Sequence, residues 1–166
     1  MDICSEADPR PFSSQEHLRI TARQFDPSNL VKSPMPKSVL IADDHEAIRR
    51  ELRRLFQCQP EFTVCGEAVD SVDAISKAQQ LSPDLVILDF AMPEMNGLEA
   101  AIAIQYMVPS ATLFLLTAYH TRELELAALQ FGARAVFSKY DNLGNLIIRA
   151  RVELKLESRC DAEADS

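Results

Sequence analysis

Four short apolar runs in this chain each lead into a residue able to bind a cation or a phosphoryl group. Leu85-Val86-Ile87-Leu88 ends in Asp89, and Val39-Leu40-Ile41-Ala42 ends in Asp43-Asp44. Leu113-Phe114-Leu115-Leu116 ends in Thr117, and Ala135-Val136-Phe137 leads to Ser138 and Lys139. Three carboxylates in one pocket repel one another: at about 5 Å and an effective dielectric near 20, each pair costs roughly 3 kcal/mol. A divalent cation removes that conflict, and an all-oxygen ligand set favours Mg2+ over softer metals. Asp44 and Asp89 are the expected carboxylate ligands. The backbone carbonyl of Ala91 is the expected third ligand, with Asp43 acting through a bound water. A carboxylate beside such an ion can attack phosphorus and become an aspartyl phosphate. Asp89, on the central run, is the expected nucleophile. Lys139 offers a compact positive charge to Asp89 and then to a phosphoryl oxygen, and the Thr117 hydroxyl can donate to another.

Each residue alone has a plainer reading. An Asp-Asp pair after a strand often caps a helix, Thr117 can cap the helix that follows it, and a lone lysine is usually a surface residue. Met92-Pro93-Glu94-Met95-Asn96-Gly97 can be only a strand-to-helix turn. Their joint occurrence, each at the end of an apolar run, points to one site.

For that site to assemble, the runs must share an edge. Their blocky apolar character is that of parallel strands buried on both faces, and in an open α/β sheet ligands bind at the carboxyl ends of such strands. The pattern predicts strands at Val39–Ala42, Phe62–Gly66, Leu85–Asp89, Ala111–Thr117 and Ala135–Phe137. It predicts helices at about Glu46–Gln57, Ser71–Gln80, after Gly97, Arg122–Phe131 and Leu143–Leu156. Val72, Ile75 and Ala78 are the expected inward residues of the second helix, and Leu98, Ala101, Ile102 and Gln105 share a helical spacing in the third. The arginines Arg49, Arg50, Arg53 and Arg54 read as a solvated face of the first helix. Gly132 reads as a C-cap. Five strands alternating with five helices, joined by right-handed crossovers, predict a doubly wound α/β sheet in the flavodoxin-like order 2-1-3-4-5. In that order the first strand lies beside the third.

The chain has 166 residues, 47% of them hydrophobic, and a formal net charge of −8. That suffices for one domain with tails. Residues 1–37, punctuated by prolines, predict a disordered N-terminal extension; 38–157 form the domain, and 158–166 an acidic tail. Met35 is an alternative start. No basic stripe supports direct nucleic-acid binding, no run is long enough to span a membrane, and no signal peptide is evident. Cys4, Cys58, Cys65 and Cys160 lack metal-site spacing and read as reduced thiols of a cytoplasmic protein.

At this point the chain resembles the receiver domain of two-component response regulators. The matching stretches are Val39 to His45, Val64 to Ala68, Leu85 to Glu99, Leu115 to Ala118 and Gly132 to Lys139, with Asp43-Asp44-His45 and Gly66-Glu67-Ala68 similar to the NarL/FixJ branch. The resemblance implies a phosphorelay role in which a histidine kinase or phosphotransfer protein passes a phosphoryl group to Asp89, with Mg2+ held by Asp44 and Asp89. Thr117 and Lys139 would report it to the face made by the fourth helix, fifth strand and fifth helix, where a homodimer or downstream protein binds. The chain is then a phosphoprotein and not a turnover enzyme. Three departures stand out. Val136 occupies the usual aromatic position three residues before the lysine. Tyr140, not Pro, follows Lys139. About ten residues remain after the fifth helix, too few for a helix-turn-helix domain.

The rival readings are a degenerate receiver serving as a scaffold and the receiver half of a truncated DNA-binding regulator. A dehalogenase-type phosphatase would need a second Asp where Ala91 stands. A Rossmann domain would need a glycine-rich first turn where Asp43-Asp44-His45-Glu46 stands.

Overall fold

The computed structural model describes residues 35–156. Most of the expected N-terminal extension and the acidic tail lie outside the described residues. The elements are β1 (Lys37–Ala42), α1 (Glu46–Gln57), β2 (Phe62–Ala68), α2 (Ser71–Leu81), β3 (Leu85–Asp89), α3 (Gly97–Met107), β4 (Thr112–Thr117), α4 (Arg122–Gln130), β5 (Ala135–Ser138) and α5 (Gly144–Glu153). The five strands form one parallel sheet in the order β2-β1-β3-β4-β5. The predicted doubly wound fold is therefore the observed one.

Alternation along each strand divides the core between the two faces of the sheet. Val39, Ile41, Ile87, Phe114 and Leu116 point to one face and pack with Leu52 and Phe56 of α1 and Leu146, Ile147 and Ala150 of α5. Leu40, Ala42, Val86, Leu88, Leu113 and Leu115 point to the other, against small residues of α2, α3 and α4: Ala74, Ala78, Ala100, Ala101 and Ala128. The central strand β3 is buried along its whole length, which explains its unbroken apolar run.

Two helix faces differ from the sequence expectation. Val72 is exposed, and α2 buries Ser71, Ala74 and Ala78. Val72 lies two residues from Ala74, about 200° round the helix, so both cannot face the core. The alanine stripe wins because it lets α2 approach the sheet and α3 closely. On α3 the buried set is Gly97, Ala100, Ala101 and Ile104, and Ile102 faces outward. The ends of α5 are also tighter than expected, at Gly144 and Glu153, with Lys155 at φ 53° beyond it. Gly132 has φ 95°, the left-handed conformation expected of a residue that ends α4.

Candidate functional site

β1 and β3 pair in register, Ala42 opposite Leu88, so Asp43 and Asp89 leave the sheet side by side. This is the switch point, where the sheet winds in opposite directions on either side. β4 and β5 pair Thr117 with Ser138, which carries Lys139 to the same edge, and the Lys139 amide donates to the Thr117 carbonyl at 2.8 Å.

Asp43, Asp89 and Thr117 are, with Ser71, the buried polar residues among the described residues. The Lys139 ammonium lies 2.7 Å from Asp43 Oδ2 and 2.9 Å from Asp89 Oδ2. These are charge-assisted hydrogen-bond distances, so the Lys139 ammonium partners both buried carboxylates. Burial pushes the Asp89 carboxyl above the ordinary carboxylate range; Lys139 and the Ala91 amide oppose the shift, and the Asp43 charge adds to it. Burial works against the Lys139 charge too, but the Asp43 and Asp89 carboxylates outweigh it and raise the ammonium above the ordinary lysine value.

Asp44 sits at the rim, with 30% of its side chain exposed, and its Oδ1 is 2.6 Å from His45 Nδ1. One ligand atom from each of Asp43, Asp44, His45 and Asp89 lies within 4.8 Å of all the others. Three carboxylates against one ammonium leave the pocket with a formal charge of −2. That surplus charge and the carboxylate oxygen donors fit a hard divalent cation.

The surrounding loops are tied down. Asp43 Oδ1 accepts the His45 amide at 2.9 Å, and Arg49 donates to the carbonyls of Asp43 (2.7 Å) and Asp44 (3.2 Å). Arg49 and Arg53 also pair with Glu67. Of the four arginines expected to be merely solvated, Arg49 thus braces the turn after β1 and Arg53 ties α1 to β2. Asp89 Oδ1 accepts the amide of Ala91, an exposed residue, at 3.2 Å. The loop beyond closes when the Gly97 amide reaches the Phe90 carbonyl at 2.8 Å, and Asn96 caps α3. Ser71, buried at the start of α2, donates to the Met95 carbonyl at 2.6 Å and pins the loop from the side. Thr117 Oγ1 accepts the Tyr119 amide at 3.1 Å, which leaves its hydroxyl hydrogen to donate elsewhere.

The structure thus brings Asp43, Asp44, Asp89 and Lys139 to one pocket and sets Thr117 and Ala91 on the segments that border it. Sequence reasoning gave no role to His45, Ser71 or Gly97. His45 was visible as the neighbour of Asp44. The reach of Ser71 to Met95 carries no sequence signal, because nothing local encodes it.

Residues 39–151 match the response regulator receiver domain family. The chain is 32% identical over 129 residues to the response regulator protein VraR of Staphylococcus saprophyticus, covering 78% of this chain and 62% of VraR. It is 38% identical over 97 residues to an uncharacterized transcriptional regulatory protein, YhcZ, of Bacillus subtilis, covering 58% of this chain and 45% of that protein. It therefore spans about half the length of the curated relatives it matches. Among solved structures it superposes on the response regulator domain of Thermotoga maritima CheB with TM-score 0.68 at 25% identity, covering 74% of this chain and 99% of that one. It also superposes on a LuxR-family two-component response regulator from Aurantimonas with TM-score 0.69 at 26% identity, covering 72% and 86%. With its strand order, its strand-end acid pocket and residues 39–151 all in agreement, this chain belongs to the response regulators of two-component signalling and carries their receiver domain.

Proposed function

We propose that this receiver accepts a phosphoryl group on Asp89 from a histidine kinase or phosphotransfer protein and passes the signal on through protein contacts. The observation that carries this is the Asp89 carboxylate itself: buried at the end of β3, inside a pocket of surplus negative charge, with the Lys139 ammonium 2.9 Å away. An Asp89 oxygen attacks phosphorus, the phosphorus–nitrogen bond of the donor imidazole breaks, and the imidazole leaves with a proton from solvent. Lys139 then faces a phosphoryl oxygen, and the free hydroxyl hydrogen of Thr117 donates to another.

Receiver domains bind Mg2+ through acidic residues, and here Asp44, Asp89 and the Ala91 carbonyl would hold it, with Asp43 acting through a water. Bound there, it supplies charge neutralisation for the phosphoryl oxygens. In this reading the protein is a cytoplasmic phosphoprotein and not a turnover enzyme.

Output through α4, β5 and α5 is supported by apolar side chains exposed there, Leu126, Tyr140, Ile148 and Val152. A homodimer or a downstream protein would cover them. Val136 packs against the core at the usual aromatic position, so coupling runs through Thr117 and Lys139 without an aromatic rotamer. Reversing a 1:99 population to 99:1 needs roughly 5.5 kcal/mol of differential stabilisation. A new dianion paired with Lys139 in one state contributes to that.

The test is incubation with acetyl phosphate or phosphoramidate and Mg2+, read by intact mass. Wild-type protein gains one phosphoryl group and Asp89→Asn gains none; equal labelling of the variant would overturn the assignment. Thr117→Ala still accepts some phosphate but loses the beryllofluoride-induced chemical-shift changes on α4 and β5. The full wild-type pattern in Thr117→Ala would refute the coupling route.

A further inference from the structure

His45 is two-thirds exposed, so packing does not hold its ring. It is nevertheless turned toward the acid pocket, with Nδ1 2.6 Å from Asp44 Oδ1 and 3.5 Å from Asp43 Oδ1. Its amide is fixed by Asp43 Oδ1, which sets where the ring starts. The pocket it faces holds the buried carboxylates of Asp43 and Asp89, whose two charges share the Lys139 ammonium.

We infer that His45 Nδ1 adds a nitrogen ligand to the carboxylate pocket, so that the pocket takes a borderline transition ion of the Ni2+ or Zn2+ class in competition with Mg2+. This rests on the proposed cation-binding role of the same pocket. Mg2+ prefers oxygen ligands and keeps several waters, so it gains little from an imidazole. Imidazole suits nickel and zinc, whose affinities at mixed nitrogen and oxygen sites stand well above those of harder ions.

The geometry is close to what such an ion needs. Ligand bonds of about 2.1 Å place two donors on one ion at most about 4.2 Å apart. The four donor atoms here already lie within 4.8 Å of one another. Closing the remainder takes small rotations of Asp44 and His45, the two more exposed members, while burial holds Asp43 and Asp89. A ring with its hydrogen on Nε2 presents the Nδ1 lone pair to such an ion. The ion offsets the formal surplus of −2.

The test is calorimetric titration of the full chain with NiCl2 alone and with MgCl2 alone, in wild type and His45→Asn. The ratio of Ni2+ to Mg2+ affinity should fall at least tenfold in the variant. Paramagnetic Ni2+ should also broaden the His45 ring resonances before those of His120. An unchanged ratio overturns the inference. So does a parallel loss of both ions, which would make His45 a support for Asp44 and not a ligand. Mg2+-dependent phosphorylation of the wild-type protein is measured alongside. If it is intact while the ratio is unchanged, only the His45 inference fails. If it is absent while the ratio falls, only the phosphoacceptor reading fails.

Discussion

Gly97→Ala is the substitution whose effect the structure specifies most sharply. A Cβ at this position would sit 2.3 Å from the Asp89 carbonyl oxygen, 2.6 Å from Phe90 Cα and 3.0 Å from the Asp89 carbonyl carbon. All three are backbone atoms, so no side-chain rotation relieves the contact. Restoring an ordinary contact of 3.4 Å to that oxygen requires the start of α3 and the end of β3 to part by about 1 Å. The 2.8 Å hydrogen bond from the Gly97 amide to the Phe90 carbonyl lies across the same gap and would stretch with it. Overpacking of this kind costs about 1–3 kcal/mol, and a 1 Å misplacement at a reacting group can cost about 100-fold in rate.

Gly66→Ala is the matched control: its closest contact is Leu81 Cδ1 at 2.8 Å, the end of a flexible and partly exposed side chain that can rotate away. The assays are urea unfolding and the rate of phosphorylation by acetyl phosphate. Gly97→Ala should be destabilised by about 1–3 kcal/mol and slowed by roughly 10- to 100-fold, and Gly66→Ala should lie within about 1 kcal/mol of wild type with a near-normal rate. If Gly97→Ala unfolds and reacts like wild type, the close approach of Gly97 to the end of β3 does not position Asp89.

Lys139→Met removes the ammonium facing two buried carboxylates, at 2.7 and 2.9 Å, and should cost about 3–5 kcal/mol without added cation. Saturating Mg2+ should recover more of that loss than it adds to wild type in thermal melts; equal gains would contradict the electrostatic account of the pocket. Ser71→Ala leaves the Met95 carbonyl without its 2.6 Å donor and should cost about 1–2 kcal/mol in urea unfolding, with faster amide exchange across 90–96. A change confined to α2 would show that Ser71 does not hold the loop. Burial works to raise the Asp84 carboxyl, but Lys37 and the Ser38 amide and hydroxyl outweigh it, so its pKa lies below the ordinary value. Its stabilisation is therefore present above the unfolded carboxylate range and is lost as pH falls through the lowered folded value. Asp84→Asn should flatten the acid limb of the stability–pH curve, and an unaltered limb would refute the linkage.

The period of the apolar residues and the chemistry at the end of each run are local properties, and they were legible in the chain. Blocky runs marked strands buried on both faces, and α1 lies between the residues that its apolar stripe predicted. Asp43, Asp44, Asp89, Thr117 and Lys139 could be singled out because each ends such a run. Distances across the fold are another matter. Asp43 meets Asp89 because β1 and β3 pair with Ala42 opposite Leu88, a register that exists only once the two strands are packed side by side. The same packing decides that the alanine side of α2, and not Val72, faces inward, since close approach between helices favours small residues over larger apolar ones. It also decides that Gly97 tolerates no Cβ, that Ser71 reaches Met95, and that the His45 ring lies against the acid pocket. Each of these depends on atoms brought together from distant parts of the chain or on a ring orientation that spacing leaves open. The sequence determined which groups are available and which elements carry them; the tertiary packing decided how far apart they stand.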